Sequence, residues 1–218
     1  MKRSTYWISA VWLAGIISLA GAGAFISATG SPPWQIGLGF GGPVVLFLAW
    51  VRMTSGGRDF VARADLALLA GLHAWRFAGI AFLFGYSQGL LPGLFAWPAG
   101  LGDIAIGLTA PWIARRLAAD PEFAGTSAFA LWNVAGLLDF IVAVGLGTLS
   151  TGFVPALRPA VDTALMQQLP LVVIPAFFVP LLTICHLIAL LRWAQLRRGA
   201  ARVSYGSAAR TMRPASKA

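Results

Sequence analysis

The chain has 218 residues, 58% of them hydrophobic and 11% charged, with a mean hydropathy of +0.78. Soluble domains carry about 25% charged residues, so this chain cannot solvate a surface of its own, and lipid must be the solvent for much of it. The net charge is +9. Nearly all basic residues sit at the ends of apolar segments, which is the pattern of a membrane protein facing an anionic leaflet and excludes nucleic acid as the expected partner. The single cysteine, Cys185, rules out an intrachain disulfide, and no CxxC or Cys/His zinc spacing occurs.

The fold class expected is all-α, an integral membrane bundle of six transmembrane helices in one domain, residues 1–196. The first span covers residues 6–28. It is longer than a signal-peptide apolar region, so an uncleaved anchor is expected in spite of the Ala/Gly run at 20–24. Its serines, Ser9, Ser18 and Ser27, read as packing residues. The second span, 34–53, opens on Gly37, Gly39, Gly41, Gly42 and Pro43, which membrane helices tolerate when neighbours satisfy the backbone. The run is no nucleotide loop, because no βαβ unit surrounds it. A polar loop at 54–63 leads to the third span, 65–88. An uncharged connection at 89–95 makes spans three and four antiparallel neighbours. The fourth span, 96–114, carries Pro98 in its first turn and Pro111 near its far end. The fifth covers 126–149. A connection at 150–168 follows, whose 161–169 part is expected to form a short interfacial helix. The sixth span covers 170–196 and contains Pro175 and Pro180. The tail, 197–218, is basic, has no apolar period and is expected to be disordered.

Alternating the flanks puts Lys2, Arg3, Arg52, Arg58, Arg63, Arg115, Arg116, Arg192 and the tail arginines and lysine on one side. Only Arg158 falls on the other. This asymmetry predicts both termini in the cytoplasm and argues for six spans, since dropping an internal one scrambles the later loops. A bacterial inner membrane is the simplest home.

Several groups lie where lipid penalises them. An ionisable residue at mid-bilayer costs roughly 2.5–3.5 kcal/mol and normally faces the protein interior. Here they are His73 and Arg76 in span three, Asp103 in span four, Asn133 and Asp139 in span five, and His186 in span six. At about 1.5 Å per residue, His73, Asn133 and His186 form an inner layer and Arg76, Asp103 and Asp139 a central one. His73 and Arg76 share a face at i, i+3. Asp103 lies in a small-residue stripe with Gly100, Gly107 and Ala110, and Asp139 in another with Ala135, Ala143 and Gly147. Such stripes mark helix contacts. One arginine against two aspartates leaves a surplus negative charge if all are ionised, which a dry interior does not tolerate. The candidate substrate- or proton-binding residues are therefore Arg76, Asp103, Asp139 and Asn133.

Three functional readings compete. A unit binding or moving a small solute or proton predicts a water-accessible cavity reaching Asp103 or Asp139. A b-type haem electron-transfer protein predicts a pocket between His73 and His186, the only two histidines. A non-catalytic partner subunit predicts an exposed face of small residues. No cofactor is expected under the first reading, and two histidines are a poor zinc set. No HExxH, GxSxG or Asp-rich diphosphate motif points to an enzyme, and no catalytic residue is singled out. The expected partners are the lipid bilayer, anionic lipid at the basic tail, and a second copy of the chain in a homo-oligomer.

The segment at 89–103, GLLPGLFAWPAGLGD, with Arg76 before it, resembles a segment found in uncharacterised bacterial multi-pass membrane proteins. The resemblance covers spans three and four and implies topology and source, not a chemistry.

Overall fold

Apolar periodicity and length produce helices throughout the computed structural model, which describes residues 3–28 and 30–211, with no strand among them. In chain order they are α1 (Arg3–Gly21), α2 (Trp34–Met53), α3 (Ser55–Ala62), α4 (Leu66–Leu72), α5 (Ile80–Ser87), α6 (Gly93–Ala119), α7 (Ser127–Leu149) and α8 (Val179–Thr211). Five stretches are long and apolar enough to cross a membrane: Trp34–Met53, Leu66–Ser87, Gly93–Ala119, Ser127–Leu149 and Ile174–Gly199. The apolar part of α1, Trp7–Gly21, is shorter. The outer faces carry bare apolar side chains such as Val11, Leu46, Leu108 and Leu131, a surface suited to lipid and not to water.

α6 is the central element. It runs along α4, α5 and the segment between them on one side and along α7 on the other, while α8 packs on α7 and α2. Two apolar clusters lie toward the ends of the bundle. Ala70, Ile113, Leu117, Phe123, Phe129 and Ala189 fill the end that carries most of the basic loops, and Phe82, Leu91, Phe95, Ala96, Ala99 and Met166 fill the other. The polar residues lie between these two clusters.

Local chemistry departs from the sequence expectation at four places. The loop at 54–63 folds as α3, because Thr54 caps it by accepting from the Gly57 amide at 3.0 Å. The third span is not one regular helix: His73–Gly79 tightens into a 3-10 helix between α4 and α5. The stretch at 161–169 forms no interfacial helix, only a single 3-10 turn at Ala164–Gln167. Its polar side chains find partners within the bundle instead. Thr163 Oγ1 donates to the Gly147 carbonyl at 2.7 Å, and Gln167 Oε1 accepts from the Ser27 amide at 2.7 Å. Finally, α8 continues past residue 196 to Thr211, since Ala and Arg sustain a helix and no proline interrupts before Pro214. The tail beyond Thr211 lies outside the described residues.

Candidate functional site

The site starts from the 3-10 segment. Residues at i and i+3 eclipse in a 3-10 helix, so His73, Arg76 and Gly79 line up on one face, and these three are its buried residues. That face meets α6 at glycines. A Cβ on Gly107 would lie against the Phe77 backbone, and one on Gly79 would overlap Asp103. The two backbones therefore approach closely enough for Arg76 to reach Asp103 directly.

Arg76 is 3% exposed, and each nitrogen of its guanidinium has a partner. Nε donates to Asp103 Oδ1 at 2.7 Å, Nη2 donates to Asp139 Oδ2, and Nη1 donates to the Gly136 carbonyl at 3.3 Å. The cation also lies 3.9 Å above the Phe140 ring, a contact that favours a desolvated arginine. Gly102 makes room for Asp139, whose carboxylate would overlap a Cβ there.

Arg76 Nη1 also lies 3.2 Å from His186 Nε2. Asn133 fixes the tautomer. Its Nδ2 donates to the Phe129 carbonyl at 2.8 Å, which leaves Oδ1 as the acceptor 2.9 Å from His186 Nδ1. Nδ1 therefore carries the proton, and Nε2 accepts from Arg76. Gly136 gives the imidazole its space. His73 stacks on His186 with ring centroids 3.8 Å apart, and Trp132 stands edge-on to both, its Nε1 donating to Thr109 Oγ1 at 2.9 Å. His73 Nδ1 is buried without a hydrogen-bond partner.

The structure thus gathers Arg76, Asp103, Asp139, Asn133, His73 and His186 into one connected cluster, where the sequence separates them into two layers. His73, His186 and Asn133 are each at most 1% exposed. The geometry does not suit a haem held between the two histidines. Their rings stack on one another with no space for a porphyrin, and both nitrogens of His186 are already committed.

One side of the cluster is open. A cavity of about 70 Å³ runs from Thr148, Thr151, Thr163 and Gln167 down between Phe95, Phe140, Ala143 and Ile174 to Asp103. Its lining on α7 follows one helical face, Phe140, Ala143, Val144, Gly147 and Thr148. The volume suits about two waters or one small polar group, at about 30 Å³ per water. Among the described residues no hydrogen bond reaches Asp103 Oδ2, and this side chain is 14% exposed against 1% for Arg76. Asp103 thus lines the cavity while Arg76 holds its Oδ1. Sequence reasoning missed Phe140, Gly102 and Gly136. The only signal for them was their place beside Asp103, Asp139 and Asn133 on the same helices.

A family model described as a domain of unknown function, DUF8737, matches residues 33–194. The chain belongs to this family. The matched region runs from the start of α2 into α8 and contains the whole cluster and the cavity, while α1 precedes it. No curated protein and no solved structure matches the chain.

Proposed function

We propose that this DUF8737 protein is a six-span membrane protein, with both termini in the cytoplasm of a bacterium, that binds or moves a small solute or proton through the cavity above Asp103. The observation that carries the reading is the cavity itself. It lies toward the end of the bundle that bears Arg158, and its lining includes a carboxylate held by a buried arginine. Intramembrane acid and base groups beside a water-filled cavity are the usual parts of proton and solute pathways. The mainly apolar walls suit a proton, a water chain, or a small molecule with one hydrogen-bond donor or positive charge. Asp103 is the charged group in its lining. Arg76 sets the carboxylate's position and Asp139 shares the cation, so a change of charge on Asp103 is felt by Asp139 and His186 through one guanidinium.

The arginine distribution supports the orientation, because the Arg158 end then faces away from the cytoplasm, and the cavity with it. The non-catalytic partner reading has less behind it. Gly37, Gly41 and Gly42 of α2 do face open space, but that reading leaves the cavity and its carboxylate unused.

Asp103→Asn is the informative variant, because it leaves one arginine facing one carboxylate and keeps an oxygen to accept from Arg76. Purified protein in liposomes carrying a pH-sensitive dye and an imposed pH gradient is expected to dissipate the gradient at least tenfold faster than the Asp103→Asn variant. Equal rates for wild type, the variant and protein-free liposomes, with and without added small amines, would remove proton-linked movement from the account.

A further inference from the structure

At the opposite end of the bundle a second concavity lies between α2, α3 and α8. It is a cleft of about 910 Å³, and its two walls have the same pattern. On α2 the lining residues Val45, Leu48, Ala49 and Arg52 are spaced i, i+3, i+4, i+7. On α8, Leu191, Ala194, Gln195 and Arg198 repeat that spacing. Each wall is thus one helical face, apolar toward the middle of the bundle and ending in an arginine about 10 Å further along. Arg58 on α3 closes the third side, its Nη1 donating to the Arg52 carbonyl at 3.4 Å. Arg192 Nη1 donates to Gln195 Oε1 at 3.2 Å, which leaves the Gln195 amide N–H groups free to donate into the cleft.

None of Arg52, Arg58 and Arg198 has a carboxylate partner among the described residues, in contrast to Arg63, Arg76 and Arg116, which do. Three unpaired guanidiniums over an apolar slot match one ligand chemistry, a phosphodiester with hydrocarbon attached. We infer that the cleft is a binding site for one anionic phospholipid. Its phosphate lies on Arg52, Arg58 and Arg198, and its acyl chains lie along Leu48, Ala49, Leu191 and Ala194. A free phosphate would use the arginines but would leave the apolar walls bare. The orientation proposed above determines only which leaflet supplies the lipid, and the binding itself does not depend on it.

The test uses the full chain in discs of zwitterionic phosphatidylcholine doped with phosphatidylglycerol, with retained lipid counted by native mass spectrometry. Wild type is expected to hold one phosphatidylglycerol in preference to phosphatidylcholine. At about 1 kcal/mol per basic residue near the surface, each arginine replaced weakens binding about fivefold, and R52Q/R58Q/R198Q weakens it on the order of 100-fold. The three side chains are exposed, so the triple variant keeps its fold. A49F/A194F, which fills the slot and leaves the arginines, is expected to lose the lipid as well. Equal retention of phosphatidylcholine, unchanged phosphatidylglycerol in either variant, or displacement by millimolar inorganic phosphate would overturn the inference, the last by making this a soluble-anion site.

Discussion

Replacing Arg76 by leucine is expected to destabilise the protein by about 3–5 kcal/mol, the usual result of removing one partner from a buried ion pair. The reason lies in what remains. Asp103 and Asp139 would face each other in a site where each is already largely shielded, with side-chain exposures of 14% and 11%. His186 Nε2 would lose its donor and Phe140 its cation. Arg76→Lys is expected to rescue little of this, because an ammonium on a flexible stem cannot hold two carboxylates, an imidazole and the Gly136 carbonyl at once. Combining Arg76→Leu with Asp103→Asn and Asp139→Asn should recover most of the loss, since replacing a whole buried charged group costs far less than orphaning part of it. Thermal unfolding in detergent, run for all four proteins, measures the order. A single variant as stable as wild type would mean that the cluster bears no weight in the fold.

Gly107→Ala is expected to be the most damaging single-methyl change in the bundle. A Cβ there falls on the backbone of the 3-10 segment, with the Arg76 carbonyl carbon at 2.9 Å and Phe77 Cα at 3.0 Å. Backbone cannot rotate out of the way as a side chain can, so α6 and the third span must part. Overpacking of this kind costs about 1–3 kcal/mol, and the upper end applies because Arg76 is carried away from Asp103 by the same movement. Gly145→Ala in α7 is the matched control. Its Cβ meets nothing within 4 Å, so it should be neutral or stabilise slightly by reducing backbone freedom. If both substitutions give the same unfolding midpoint, the close approach of the two helices is not what positions Arg76.

Much of this arrangement was legible in the chain, and for a physical reason: in lipid each charge off the surface needs an explanation, so six polar residues among apolar runs stand out. The stripe Gly100, Asp103, Gly107 and Ala110 marked the face of α6 that meets a neighbour. The 3-10 turn at His73–Gly79 did not show, because helix propensity there is ordinary and the close approach of its backbone to Gly107 of α6 is a tertiary contact. The joining of the histidine and aspartate layers was missed for the same reason, since depth counted on an ideal helix cannot foresee a segment that stacks His73 and Arg76. The turn at Ala164–Gln167 was misread as interfacial because its amphipathic pattern fits a membrane surface as well as a bundle end. Its real contacts, Thr163 to Gly147 and Gln167 to Ser27, lie far apart in sequence or depend on one hydroxyl.

In the proposed function, water reaches Asp103 from the Arg158 end of the bundle and not from the arginine-rich end. Cysteine labelling tests it directly, because the one native cysteine, Cys185, is buried at 4% exposure and gives little background. Ala143 lines the cavity one turn from Phe140, and a thiol reacts only as the thiolate, which needs water. In sealed vesicles of known orientation, Ala143→Cys is expected to react with a small membrane-impermeant thiol reagent added on the Arg158 side and to resist it on the other. Labelling from the arginine-rich side alone, or none from either side while an exposed control such as Ala156→Cys reacts, would overturn this.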